Sequence, residues 1–257
     1  MKRRLVAAVA VRNAGSRLFG KPMQNLDVNE GLTILDNIIG TLRSLGCIDE
    51  VILGISEGSE NQVFVEYADR LGLRYVVGDQ EDVLGRLIAC GQLGEATDIF
   101  RITSESPFLY FEPVEEAWQR HQDEDADAVF LDDIVDGCGF EILSMKALER
   151  SHAEGEDRHR SELCSVYIRE NNTKFRTIKL TGPEDLDRRD LRLTVDNPED
   201  LVICRHIFKN FKSLAPRIPV ADIVAFLDQN PELIALTAPF TEIGYETMFV
   251  WGKGDNT

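Results

Sequence analysis

The sequence predicts an α/β fold with a mixed, mostly parallel sheet flanked by helices. Three observations carry that prediction. Short β-branched runs alternate with helical patterns, which calls for crossover connections between parallel strands. The first apolar run, Leu5 to Val11, breaks at once into a glycine-bearing basic loop. A second strand-like run, Leu191 to Val195, feeds Asp196-Asn197-Pro198, a helix start with Pro at the first helical position.

Taken in order, the predicted strands are Leu5–Val11, Val51–Ile55, Arg74–Val77, Asp98–Ile102 and Ala128–Leu131. Between them, helices are predicted near 33–46, 59–71, 82–94 and 112–122. In the second of these, Val63, Tyr67, Ala68 and Leu71 recur at i, i+4, i+5 and i+8, one face of a helix. Ligands of such sheets bind at the carboxyl ends of the strands, where Arg12, Ser56, Gly78 and Ser104 fall. The alternation then loosens. Asp123 to Asp136 holds seven carboxylates in fourteen positions and reads as solvated helix end and loop rather than a metal site. Phe140–Leu143 is a predicted strand, 159–171 a helix, Lys174–Lys179 a strand, Gly182 to Asp190 a charged loop and Leu191–Val195 a strand. Helices follow from Pro198 to about Asn210 and over Val220–Leu227. From Phe240 the tail is aromatic, then polar.

Charge singles out the first loop. The chain has 45 acidic and 28 basic residues, a formal charge of -17, yet Lys2 to Leu26 holds six basic residues and no acidic one. The overall balance argues against nucleic acid or a membrane surface as partner. No apolar run approaches the ~18 residues of a membrane span, and Lys2-Arg3-Arg4 before a run that ends at Arg12 makes no convincing signal peptide. Five scattered cysteines and four histidines show no metal spacing; the cysteines read as reduced, mostly buried thiols of a cytoplasmic protein, and His159, in a polar stretch, as solvated rather than catalytic.

A basic glycine loop after a buried strand suggests a polyphosphate site, because glycines let backbone N–H groups approach an anion that Arg and Lys neutralise. Gly15 to Lys21 fits the first seven positions of the P-loop pattern, but Pro22 replaces the hydroxyl that would hold Mg²⁺, and no helix is predicted to follow. A polar surface loop with scattered arginines is the plain alternative.

Val11-Arg12-x-x-x-Ser16-Arg17-Leu18-x-Gly20-Lys21 resembles the opening signature of the cytidylyltransferases that activate sugars and sugar acids, with Phe19 where Pro is usual. Four further segments extend the resemblance in register: Gly78 to Arg86, Arg101-Ile102-Thr103-Ser104-Glu105-Ser106-Pro107, Gly137-x-x-x-Glu141, and Thr194-Val195-Asp196-x-Pro198-x-Asp200-Leu201. The acylneuraminate and 3-deoxy-manno-octulosonate enzymes belong to this group, and the spore-coat polysaccharide type is the branch most resembled.

The resemblance implies a single Rossmann-like nucleotide-diphospho-sugar transferase domain over 1–257. An excursion at about 133–190 would serve the acceptor and a homodimer interface. It implies a cytidylyltransferase using CTP and a sugar-acid-like acceptor and releasing pyrophosphate. Arg12 and Lys21 would be catalytic; with Ser16, Arg17, Asp82, Arg86 and Arg101 they would bind the nucleotide. Glu141, Arg160 and Glu162 would meet the acceptor, and Glu105 and Asp196 would hold Mg²⁺. Glu105 replaces the usual Asp, Leu163 stands where the pattern often has His, and the Leu26–Gly31 segment is lengthened. Another NTP, a sugar- or polyol-phosphate acceptor, or nucleotide binding without transfer are the alternatives.

Overall fold

The computed structural model describes residues 2–15 and 17–246; Ser16 and the end of the tail lie outside the described residues. Strand β1 (Leu5–Val11) is followed by a small hairpin, β2 (Asn25–Asp27) and β3 (Leu32–Thr33). Three strand–helix alternations come next: α1 (Ile34–Arg43), β4 (Glu50–Ser56), α2 (Gln62–Leu71), β5 (Arg74–Gly78), α3 (Val83–Leu93), β6 (Asp98–Arg101) and α4 (Val114–Asp123). The second half holds β7 (Ala128–Asp133), β8 (Phe140–Ser144), α5 (Met145–Glu154), α6 (Val166–Glu170), β9 (Thr177–Thr181), α7 (Pro198–Phe211), α8 (Val220–Asp228) and α9 (Pro231–Glu246). Among the described residues no helix is long and apolar enough to cross a membrane.

The main sheet has seven strands in the order β5-β4-β1-β6-β8-β7-β9. β1 pairs in parallel with both β4 and β6, so the chain winds outward in two directions from the β1/β6 boundary. That boundary is a topological switch point, where the crossovers diverge and leave a crevice at the strand ends. β8 is antiparallel to β6 and β7, and β9 pairs in parallel with β7. Both faces are covered. Leu5, Ala7, Val9 and Val11 pack into one core layer, while Val6 and Ala8 pack into the other beneath α3 and α5. Burial on both faces is why β1 reads as a continuous apolar run rather than an alternation.

Helix starts follow local chemistry. Thr33 and Asp36 form a capping box on α1, Asp82 caps α3 and Ser144 caps α5. On α7, Asn197 and Asp200 form another box with Pro198 in the first turn.

The second half departs from its predicted pattern. Leu191–Val195 is not a strand. It makes one isolated bridge, Asp136 to Arg192, because its amides are shared between two loops: Leu193 N donates to Asp136 O (2.8 Å) and Val195 N to Glu105 O (3.0 Å). The predicted helix over 159–171 shrinks to α6 and a short turn at Asp157–His159. Asp132, Asp133 and Asp136 are not simply solvated; each has a cationic partner, Arg169, Lys179 and Arg192. His159 is buried against Glu170, with Nε2 and Oε2 2.9 Å apart, rather than solvated. Two helices have no counterpart in the sequence reading, α5 and α9. The latter contains Pro239, which ordinarily argues against a helix interior. All five cysteines are free, and all but Cys47 are buried.

Candidate active site

The loop after β1 is closed on itself. Gly20 N donates to Asn13 O (2.9 Å), and Gly20 takes φ 62°, a left-handed conformation that a Cβ resists. Lys21 then opens only a three-residue turn, Lys21–Met23, before β2. The P-loop alternative fails here, because its lysine must stand at the start of a full helix.

The loop walls a cavity of about 330 Å³ at the β1/β6 switch point. Arg12, Arg17, Lys21, Arg86 and Arg101 line it, together with Glu105, Glu162 and Asp196. Five cations face three carboxylates in a chain of strongly negative net charge.

Arg86 is buried at the floor, where Nη1 donates to Val11 O (3.3 Å) and Gly54 O (3.2 Å), linking the ends of β1 and β4. Its Nε has no partner among the described residues, and no carboxylate there forms an ion pair with it. Burial draws its pKa down, and the nearby Arg12 adds to the effect. A buried guanidinium that lines a cavity without a carboxylate partner is a ready counter-charge for an anion bound there.

Asp196 stands on the facing wall. Lys21 Nζ reaches its Oδ1 at 2.5 Å, Arg17 lies 3.3 Å from the same oxygen, and Arg192 bonds Oδ2. Burial pushes the Asp196 carboxyl up, but Lys21, Arg192 and Arg17 outweigh it and hold the pKa below the usual range. Glu105 is fixed beside it through the Val195 N–Glu105 O bond. Ser104 Oγ donates to its carboxylate at 3.3 Å.

Behind Asp196, buried Arg192 is shared among Asp136 (3.4 Å), Asp196 and Asp200 (3.4 Å). Burial raises the Asp136 pKa to about 6; Arg192 opposes the rise, and Asp196, Asp200 and Glu105 add to it. The last turn of α9 closes over this group. Gly244 lies against the Arg192 guanidinium so closely that a Cβ would collide with Nη1, and Tyr245 Oη accepts Asp136 N at 3.2 Å.

The cytidylyltransferase family model matches residues 6–228, from the first strand through α8. The chain belongs to the cytidylyltransferase family. It is 25% identical to an uncharacterized protein of Methanocaldococcus jannaschii, MJ1063, over 90% of this chain and 93% of that one. It is 22% identical to the spore coat polysaccharide biosynthesis protein SpsF of Bacillus subtilis, over 87% and 94%. Among solved structures, a cytidylyltransferase from Leptospira borgpetersenii superposes with a TM-score of 0.78 at 20% identity, covering 91% of this chain and 97% of that one. The fold is thus that of the Rossmann-like nucleotidyltransferases, and the protein is an enzyme of that class.

Within this cytidylyltransferase, four residues assigned to ligands on sequence have other partners. Asp82 caps α3 through Oδ1, and its Oδ2 lies 2.6 Å from His152 Nε2, so both oxygens are engaged away from the main cavity. Glu141 sits directly opposite Arg101 in the β6/β8 register. It takes Arg101 Nη1 (2.9 Å), Arg169 Nη2 (2.7 Å) and Ser165 Oγ (2.7 Å), contacts that orient Arg101. Burial alone would raise the Glu141 pKa; the two guanidiniums bring it to about 2. Arg160 donates to His152 O (3.2 Å), while its own carbonyl accepts Leu84 N (3.0 Å), tying 157–165 to α3. Glu162 lies between the cation-lined cavity and a second pocket that it shares with Asp82 and Arg160; its carboxylate pairs with Arg12 and its carbonyl accepts Arg101 Nη2 (2.8 Å). Ser16 lies outside the described residues. Arg192 was missed because an isolated arginine in Leu-Arg-Leu carries no local signal; its partners arrive from a distant loop and the next helix.

Proposed function

We propose that this enzyme transfers a cytidylyl group from CTP to an oxygen of a sugar-derived acceptor and releases pyrophosphate. The observation that carries the proposal is the cation-lined cavity at the switch point, floored by Arg86. The relative in spore coat polysaccharide biosynthesis supports a surface-polysaccharide precursor as acceptor. In the transfer, the acceptor oxygen forms a bond to the α-phosphorus, the bond to the β-phosphate bridge breaks, and the acceptor proton leaves to solvent or a nearby base. Charge grows on phosphate oxygens throughout, so preorganised cations supply most of the stabilisation.

Arg12, Arg17 and Lys21 take the triphosphate. Each is now engaged by a carboxylate, Arg12 by Glu162 and the other two by Asp196. A triphosphate competes for the same cations and releases Asp196 as it binds. Glu105 and Asp196 fit Mg²⁺. No cluster of three or more candidate metal ligands occurs among the described residues, but Mg²⁺ needs only one or two carboxylates when phosphates and waters complete its shell. There the two carboxylates would hold Mg²⁺, which would supply charge to offset that of the phosphates.

The homodimer proposed for the 133–190 region is tested by light scattering, where a mass near the 28.9 kDa monomer at every concentration rules it out. Pyrophosphate release across four NTPs and a panel of acceptors tests the activity itself. Release with CTP alone is the expected result, and no release with any nucleotide while CTP still binds identifies a binding-only protein.

A further inference from the structure

The nucleotide cavity continues into a second one of about 170 Å³, and Arg101, Ile102 and Thr103 line both. The second cavity has the opposite charge. Its wall carries the carboxylates of Asp132, Asp136 and Glu141 and a single guanidinium, that of Arg101. Arg101 is held by Glu141 at 2.9 Å and donates to Glu162 O, so it presents little unopposed charge. The cations that balance the other carboxylates stand behind the wall rather than in it. Buried Arg169 bonds Asp132 (2.6 and 2.9 Å), and buried Arg192 sits 3.4 Å from Asp136. The remaining polar lining is hydroxyl, from Thr103, Ser106 and Thr194. Gly137 brings the Asp136 turn against Thr194: its φ is 91°, and a Cβ there would meet Thr194 N at 2.6 Å.

A carboxylate placed in this cavity meets the three carboxylates at the wall before the arginines behind it that pair with them, and no guanidinium that lacks a carboxylate partner of its own. Sugar hydroxyls meet the reverse situation, because each can donate a charge-assisted hydrogen bond to a carboxylate oxygen. We propose that the second cavity is the acceptor subsite and that it selects an uncharged, hydroxyl-rich sugar face, excluding acceptors that present a carboxylate there. The inference rests on the cytidylyl-transfer reading and replaces the sugar acid that the sequence resemblance implies with a neutral acceptor.

The experiment uses matched pairs that differ in charge alone. N-acetylneuraminate and 3-deoxy-octulosonate are compared with their methyl esters, and hexuronates with the parent hexoses. Binding is followed by saturation-transfer NMR with CTP present, and CTP binding is measured separately by calorimetry. The neutral member of at least one pair should bind about tenfold more tightly, and Asp136→Asn should narrow that ratio. Should that variant not fold, Asp132→Asn serves in its place. Intact CTP binding with a preference for acids, no preference, or binding of neither member overturns the subsite inference and leaves the nucleotide reading standing. Absent CTP binding overturns the nucleotide reading instead.

Discussion

Two buried ion clusters stand at opposite ends of the same sheet. At the amino-terminal edge, Asp98 accepts Arg3 Nε (2.9 Å) and Thr97 Oγ1 (2.6 Å), and its Oδ1 lies 2.8 Å from His121 Nε2. Asp98 and His121 have no exposure, and Trp118 stacks on His121 with ring centroids 5.5 Å apart. At the carboxyl edge, Asp196 gathers three basic side chains, but two of them, Arg17 and Lys21, belong to a loop that walls a cavity. Residue types are nearly the same in the two places. Access separates them: where the carboxylate and imidazole are sealed from solvent, the cluster is a rivet, and where the cations border open space, they can change partners.

The largest effect should come from the closed cluster. Asp98→Ala leaves His121 and Arg3 without their carboxylate and should lower stability by about 3–5 kcal/mol. Denaturant melts check it, and activity per folded molecule should stay unchanged. Asp196→Asn should do the opposite: folding survives while pyrophosphate release falls by about 10²–10³, about 3–4 kcal/mol in the barrier. Equal losses of stability and activity in both variants would dissolve the contrast.

Glu141 sharpens the contrast through pH. Its carboxyl moves from an ordinary 4.5 to about 2 in the fold. A depressed carboxyl stabilises above its unfolded pKa, so that contribution, about 3 kcal/mol, should be present at neutral pH. It should be lost as pH falls from about 4.5 toward 2. Glu141→Gln should flatten the acid limb of a melting-temperature profile. The smallest effect belongs to Lys21→Ala, which removes one charge-assisted contact of about 1.5–3 kcal/mol and should weaken CTP about tenfold by calorimetry. Unchanged affinity in both Lys21→Ala and Arg17→Ala would place CTP elsewhere.

The first half of the fold was legible because its signals are local. β1, β4, β5 and β6 are compact apolar runs, and the helices between them show their faces within a few residues. The second half was not, because its order depends on distant pairing. Nothing in Phe140–Ser144 says that it inserts antiparallel between β6 and β7. Leu191–Val195 has the composition of a strand but serves as a strap between two loops. Helix α5 did leave a trace, the Ser144 cap ahead of Met145 and Leu148, which a looser pattern obscured. At the site, Arg12, Arg17, Lys21, Arg86, Arg101, Glu105, Glu162 and Asp196 were found by motif and do share one cavity. Asp82, Glu141 and Arg160 were also found by motif, but their charge is taken up by neighbours that only folding brings near.

The closure of α9 over Arg192 bears on the order in which the enzyme is made. The basic loop after β1 is synthesised well before Arg192. Gly244 and Tyr245, which seat that arginine and the Asp136 amide, come later still. A nascent chain released before α9 would carry the whole basic loop and both candidate metal carboxylates, yet lack the packing that holds Arg192 and the Asp136 turn beside the cavities. The packing around Arg192 is therefore completed only by the final helix of the described fold, long after the basic loop and its carboxylates have been made.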